Sequence, residues 1–282
     1  MNLGAATAHA VRCLLELLDG PAAARVGERL RLDLAEPVER RGGWRAVQQH
    51  RGSVLHWLLE SDQPEVNRQL LRSGYLPRGL QRDVLAGVRF GPGAGPGAGA
   101  DGPLPVLDGG IRPEHPEEPL PDLLAALYGA GKLSRARTVV AGLRRAHWPE
   151  LAQADRLRPL PGYVRWALVE RFDCPDELRQ SFGDNPRYRH RLREAGIRTD
   201  PRQLLWTGAP ARDLVPLLEL GRWGFPERLA PAERELRELV RAEVGGNPEA
   251  WAVLAQLLPD FVGTLPQLIS TAGAIAGGPG GG

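Results

Sequence analysis

Cysteine and lysine are scarce in this chain of 282 residues. Its two cysteines, Cys13 and Cys174, lie far apart and form no CxxC pair. This spacing excludes a disulfide framework and a cysteine-rich zinc site. Lys132 is the only lysine among 36 basic residues, and arginine binds phosphate and carboxylate groups in a bidentate way. A GC-rich genome is the simpler cause of this bias. Such a genome favours the codons of arginine, and also those of alanine, glycine and proline, which are abundant in this chain as well.

Long apolar runs are also missing. No stretch reaches the roughly 20 apolar residues that a membrane-spanning helix needs. The nearest candidate, residues 261–276, is short and contains glycine and proline. The first residues show no basic region ahead of an apolar stretch, as a signal peptide would have. We therefore expect a cytoplasmic protein that does not enter a membrane.

The charge balance is close to neutral. The formal net charge is +2, with 25% charged and 42% hydrophobic residues. A strongly basic nucleic-acid-binding protein would have a larger excess of positive charge. The apolar fraction supports a packed core, and the length suits one large or two small domains.

Motifs for catalysis or metal binding are missing as well. None of the six histidines lies four residues from another, and neither HExxH nor GxSxG occurs. Residues 129–132 resemble the end of a phosphate-binding loop. However, Ala126 and Leu133 occupy positions where that loop needs glycine and a hydroxyl residue. We expect no enzyme activity, no metal and no small-molecule cofactor. One alternative function is an enzyme whose active site is assembled from residues that are distant in the sequence.

Residues 54–87 contain the clearest structural pattern, in which three helices are joined by tight turns. Asp62 is predicted to cap the second helix, and Glu65 would complete a capping box. Pro64 suits the first turn of that helix, because its missing N–H group costs nothing there. Gly74 is predicted as the left-handed residue at the helix end.

The same pattern recurs 111 residues later, in residues 164–196. In this register Asp62 corresponds to Asp173, and Gly74 corresponds to Asn185, another residue that tolerates a left-handed conformation. We interpret this correspondence as an internal repeat. The alternative is that Asp-x-Pro followed by an acid is simply a common helix start.

The Asp-x-Pro-Glu-Val pattern with its following leucine pair and glycine, beginning at Asp62, resembles the two-helix repeats of HEAT-like and leucine-rich-variant proteins of bacteria. The resemblance covers 54–87 and 164–196 and extends only loosely beyond them. It implies a curved helical stack that binds another macromolecule. Leucine-rich-variant proteins carry cysteines for an iron–sulfur centre, and this chain has no such cluster. That cofactor is therefore not expected here.

We thus predict an all-α protein of stacked helix pairs, similar to an α-solenoid, with a flexible interruption. Residues 1–87 would form an N-terminal helical part and residues 119–276 a C-terminal one. Residues 88–118, rich in glycine and proline, would form a flexible linker, and residues 277–282 a disordered tail.

One helix, residues 186–196, has a high density of basic residues. The residues that could bind a partner there are Arg187, Tyr188, Arg189, Arg191 and Arg193. An aromatic residue among arginines is typical of grooves that bind nucleic acids. The simpler interpretation is a solvated basic face, because a phosphate-binding surface needs more net charge than this chain has.

The favoured function is a non-catalytic scaffold or adaptor that binds another protein, because stacked helices offer an extended surface. The alternative is nucleic-acid binding through residues 186–196. The seven tryptophans suit packing between helices, and some could anchor a partner.

Overall fold

The computed structural model describes residues 3–35, 51–91, 104, 117–183, 200–207 and 210–277. Within these ranges the chain forms fifteen α-helices, one short 3-10 helix and no β-strand. The prediction of an all-α fold is therefore confirmed. Among the described residues, no helix is long and apolar enough to cross a lipid bilayer.

The helices are numbered here in chain order. They are α1 (Ala5–Leu15), α2 (Gly20–Leu30), α3 (Arg51–Glu60), α4 (Pro64–Ser73), α5 (Arg78–Leu85), α6 (Leu120–Tyr128), α7 (Leu133–Val140), α8 (Trp148–Leu157), α9 (Gly162–Val169), α10 (Asp176–Gly183), α11 (Pro201–Thr207), α12 (Ala211–Gly224), α13 (Pro226–Glu243), α14 (Pro248–Leu257) and α15 (Leu265–Ala276). The 3-10 helix, Arg145–His147, directly precedes α8.

The chain divides into two compact units whose boundaries differ from the predicted ones. The terminal unit comprises residues 1–51 and 198–282, and the central unit comprises residues 52–197. Of the predicted linker, 88–118, the described residues belong to the central unit, and the rest lies outside the part of the chain that the structure describes. The predicted tail, apart from residue 277, also lies outside them.

The terminal unit joins the two ends of the chain through the apolar faces of its helices. Helix α1 packs against α12 and α14, and α2 packs against α14. Val11, Leu14, Val26 and Leu30 are buried on these two N-terminal helices. Helix α15 contacts α11, α12, α13 and α14 and so lies at the centre of the C-terminal helices. This packing of sequence-distant helices departs from the nearest-neighbour order of a linear helical stack.

Neighbouring helices pack on one another in much of the central unit. Contacts join α6 to α7, α7 to α9, α9 to α10, and α4 to α5. Leu127, Leu143, Val164 and Leu168 are fully buried in its core. Helix α5 also contacts the 3-10 helix, where the buried Asp83 accepts hydrogen bonds from the side chain of Arg144 and from the backbone N–H of Arg145.

Asp62 does not cap helix α4, so the predicted capping box with Glu65 is wrong. The N-cap residue is Gln63, whose side chain makes no capping hydrogen bond. Asp62 has a φ of 52°, in the left-handed region. Its carboxylate accepts hydrogen bonds from the backbone N–H groups of Phe90 and Gly91, at 2.7 and 3.1 Å. A long-range contact with the chain after α5 has replaced the local cap.

Two other helix ends follow local sequence signals, and the one predicted at Gly74 is confirmed. Gly74 follows α4 with a φ of 67°, a conformation that glycine adopts at little cost. Asn247 precedes α14, and its side-chain oxygen accepts a hydrogen bond from the backbone N–H of Glu249 at 3.0 Å.

The helix boundaries agree with the proposed repeat. The two aspartates that correspond to each other in the repeat, however, form hydrogen bonds with different groups. Helix α3 ends at Glu60 and α4 begins at Pro64, whereas α9 ends at Val169 and α10 begins at Asp176. After the shift of 111 residues, each pair of boundaries differs by two residues or fewer. The third helix of the second copy lies outside the described residues. The repeat therefore stays a prediction.

Candidate protein-binding surface on the α8–α9 connection

The segment that joins α8 and α9 exposes apolar side chains; the α8–α9 connection is defined here as residues 156–163, which include the last two residues of α8 and the first two of α9. Leu157 is 80% exposed and Tyr163 is 47% exposed. Arg156, Arg158 and Pro159 are exposed as well. Single exposed apolar residues are common on protein surfaces. What distinguishes this connection is the number of contacts that fix its backbone.

Two prolines and a buried leucine determine the path of the connection. Helix α8 ends at Leu157, and Arg158 adopts an extended conformation (φ −144°, ψ 113°) immediately before Pro159, as residues that precede proline usually do. Pro161 then forms the N-cap position of α9. Between the prolines, Leu160 is buried in the core of the central unit. The chain is thus anchored at its middle while its two flanks face solvent.

Asp155 holds the connection from the side of α8. Its side chain is buried, and Oδ1 accepts a hydrogen bond from the backbone N–H of Leu160 at 2.8 Å. The guanidinium of Arg165, on α9, donates two hydrogen bonds to the same carboxylate, at 3.0 and 2.9 Å. Paired charge-assisted bonds of this kind fix orientation as well as distance. One buried carboxylate therefore links α8, the connection and α9.

Tyr128 holds the connection from the side of α6. Its hydroxyl lies 3.1 Å from the carbonyl oxygen of Ala154 and 2.7 Å from that of Arg158, and it can donate to either. The guanidinium carbon of Arg158 lies 4.7 Å from the centroid of the Tyr128 ring, which is cation–π geometry. The exposed side chains at residues 156–163 are thus presented by a backbone fixed on two sides.

The predicted binding residues are Arg187, Tyr188, Arg189, Arg191 and Arg193, and all five lie outside the described residues. The structure therefore does not test that prediction. The sequence did not reveal the α8–α9 connection, because a leucine at the end of one helix and a tyrosine at the start of the next do not by themselves indicate exposure. The available signal was the pair Arg158-Pro159, which indicates a helix end next to Leu157.

A second polar cluster in the central unit is buried and has a structural role. Arg171, 6% exposed, donates to both carboxylate oxygens of Asp173, at 2.8 and 2.6 Å. It also donates to the carbonyl oxygens of Val140 and Leu143, each at 2.7 Å. The indole N–H of Trp148 donates to Asp173 at 3.1 Å. These buried groups satisfy one another's hydrogen-bonding capacity, so the cluster holds α7, α8 and α9 together.

Neither cysteine is an activated nucleophile. Burial raises the pKa of the Cys13 thiol to about 12, although the nearby Arg222 guanidinium opposes this. Burial likewise raises the pKa of Cys174 to about 12, against the opposing charge of Arg179. Because the thiolate is the reactive form, both side chains are unreactive thiols at neutral pH.

Polar side-chain contacts connect the N-terminal and C-terminal helices of the terminal unit. His9 Nε2 on α1 lies 3.0 Å from Glu219 Oε2 on α12. Arg222 donates to the carbonyl oxygen of Cys13 at 2.9 Å and forms ion pairs with Glu16 and Glu233.

Among the described residues, no three histidine, cysteine, aspartate or glutamate side chains are arranged to bind a metal ion.

No family model, curated protein or solved structure matches the chain. The resemblance to helical-repeat families accordingly rests on sequence pattern, and the functional argument rests on the geometry described above.

Proposed function

We propose that the protein is a non-catalytic helical scaffold that binds another protein through the α8–α9 connection. The observation that carries the proposal is the exposure of Leu157 and Tyr163 on a backbone fixed by Asp155 and Tyr128. A rigid surface loses little conformational entropy when a partner binds. Burial of a leucine side chain contributes about 1.5–3 kcal/mol, which makes Leu157 a suitable anchor.

The composition of the connection also supports a protein partner. Tyrosine and arginine are enriched among the residues that dominate binding energy in protein interfaces. Residues 156–163 combine Tyr163 with two exposed arginines around the exposed Leu157. Nucleic-acid binding through residues 186–196 remains a prediction from sequence, and no described contact bears on it.

Substitution of Leu157 tests the proposal. We expect Leu157→Ala to weaken binding of the partner by about 2 kcal/mol, or roughly 30-fold, as truncation of a central interface residue does. Wild-type protein would be used to capture partners from the lysate of its source organism. The affinity of each captured protein would then be measured for both variants by isothermal titration calorimetry.

The matched control is Val262→Ala, because Val262 is 88% exposed and belongs to the terminal unit. Circular dichroism would establish that both variants are folded. A partner that loses affinity for Leu157→Ala and keeps it for Val262→Ala supports the proposal. Equal affinity for both variants contradicts it, and so does the capture of no protein.

A further inference from the structure

The charges around the α8–α9 connection indicate the chemistry of the partner; this inference rests on the proposed function. From Arg156 to Val169 the sequence contains three arginines and no acidic residue. The charge of Arg165 is matched by Asp155, so two arginines, Arg156 and Arg158, are left on the exposed part of the connection. We infer that the connection binds an acidic, leucine-containing segment of another protein.

The nearest acids in the sequence do not cancel this positive charge. Glu170, which follows Val169, is paired with Arg137 across 2.6 Å. Glu150 lies on α8 six residues before Arg156, which is about 9 Å along a helix. Charges of opposite sign on a partner would therefore be attracted to residues 156–158.

Arg158 is already placed to receive a carboxylate. Its contact with the Tyr128 ring restrains the side chain without neutralising its charge. Arginine binds carboxylates in a bidentate way. Because the contact with Tyr128 already restrains the guanidinium, the side chain loses less conformational entropy for each hydrogen bond that it forms. The neighbouring Leu157 offers an apolar contact beside this charge.

A protein segment fits this surface better than a nucleic acid does. The surface combines two exposed arginines with the aliphatic side chains of Leu157 and Pro159. Affinity for nucleic acid depends on the number of phosphates neutralised, and two cations supply little of it. Aliphatic side chains contribute only where the partner has apolar groups to bury.

The test measures fluorescence anisotropy with the full chain and four labelled probes. The first is a glutamate-rich peptide that contains leucine. Two further peptides replace every glutamate by glutamine or by lysine, and the fourth probe is a single-stranded DNA oligonucleotide. We expect the glutamate peptide to bind most tightly, and its affinity to fall as salt is raised, because salt screens exposed charges.

Two charge variants provide the comparison. We expect Arg156→Gln/Arg158→Gln to weaken binding of the glutamate peptide about tenfold. The control, Arg234→Gln/Arg241→Gln, makes the same change in net charge on exposed residues of α13 and should leave the affinity unchanged.

Equal binding of the glutamate and lysine peptides would overturn the inference. The inference fails, and the proposed function stands, if two results occur together: Leu157→Ala weakens binding of the glutamine peptide, and Arg156→Gln/Arg158→Gln leaves binding of the glutamate peptide unchanged. If neither variant weakens binding of any peptide, both fail. Preferential binding of the DNA probe, weakened by the arginine variant, would replace the acidic protein segment by nucleic acid.

Discussion

Asp173→Ala is expected to lower the free energy of unfolding by about 3–5 kcal/mol, because it leaves a buried charge without its partner. Arg171 is 6% exposed and cannot move its guanidinium into water without leaving the core. The variant would also remove the acceptor of the Trp148 indole N–H. Urea denaturation of the full chain, followed by circular dichroism, measures the change.

The matched control is Glu170→Ala, which breaks a similar pair at the surface. Glu170 accepts two hydrogen bonds from Arg137, at 2.7 and 2.6 Å, but the Arg137 side chain is 54% exposed. Because water can solvate the freed guanidinium, this variant should cost only about 0–1 kcal/mol. Equal losses from the two variants would contradict the structural role assigned to Arg171 and Asp173. If Asp173→Ala does not fold, Asp173→Asn should fold with a smaller loss, because it keeps one acceptor oxygen.

Gly79→Ala is expected to destabilise the protein by about 1–3 kcal/mol or more, as overpacking of a core does. Gly79 lies in helix α5, where its N–H donates to the carbonyl oxygen of Ala141 at 2.9 Å. A Cβ atom at residue 79 would lie 2.0 Å from the carbonyl oxygen of Leu143, so the backbone would have to move. Asp83 resists that movement, because it holds the N–H of Arg145.

The control for this prediction is Gly131→Ala, since a Cβ atom at residue 131 would have no heavy atom within 4 Å. Thermal unfolding of both variants would measure the difference. A melting temperature for Gly79→Ala equal to that for Gly131→Ala would show that α5 does not pack against residues 141–143 as described.

Local patterns predicted many helices because the determinants lie within each segment. Helices α6 (Leu120–Tyr128) and α8 (Trp148–Leu157) illustrate this. Their apolar residues recur at helical spacing, and a proline occupies the first turn of each. The helix end at Gly74 was predicted correctly for the same reason, since a helix end depends on few neighbours.

Long-range contacts account for what the sequence could not predict. The periodicity of α1 shows which face is apolar, but nothing in it indicates that α12, about 200 residues later, covers that face. Asp62 has the sequence context of a helix cap, yet Phe90 and Gly91 bind its carboxylate. Both outcomes depend on segments that meet only in the folded chain.

The candidate site was unpredictable for a related reason. Leu157 lies six residues after Leu151, the buried leucine of α8, and so on a different side of the helix, where 80% of it is exposed. Asp155 appears as one more charged residue in the sequence, whereas the fold places it within hydrogen-bonding distance of Leu160 and Arg165. By contrast, the arginine-rich segment 186–196 could be identified from the sequence, because its amino-acid composition alone distinguishes it.

Site-specific photo-crosslinking determines whether a partner binds at the α8–α9 connection. Tyr163 would be replaced by a benzophenone amino acid, which keeps an aromatic ring at this 47% exposed position. The same amino acid at Val262, in the terminal unit, is the control. We expect a crosslink to the captured partner from residue 163 and none from residue 262. A crosslink from residue 262 alone, or from neither position, would contradict it.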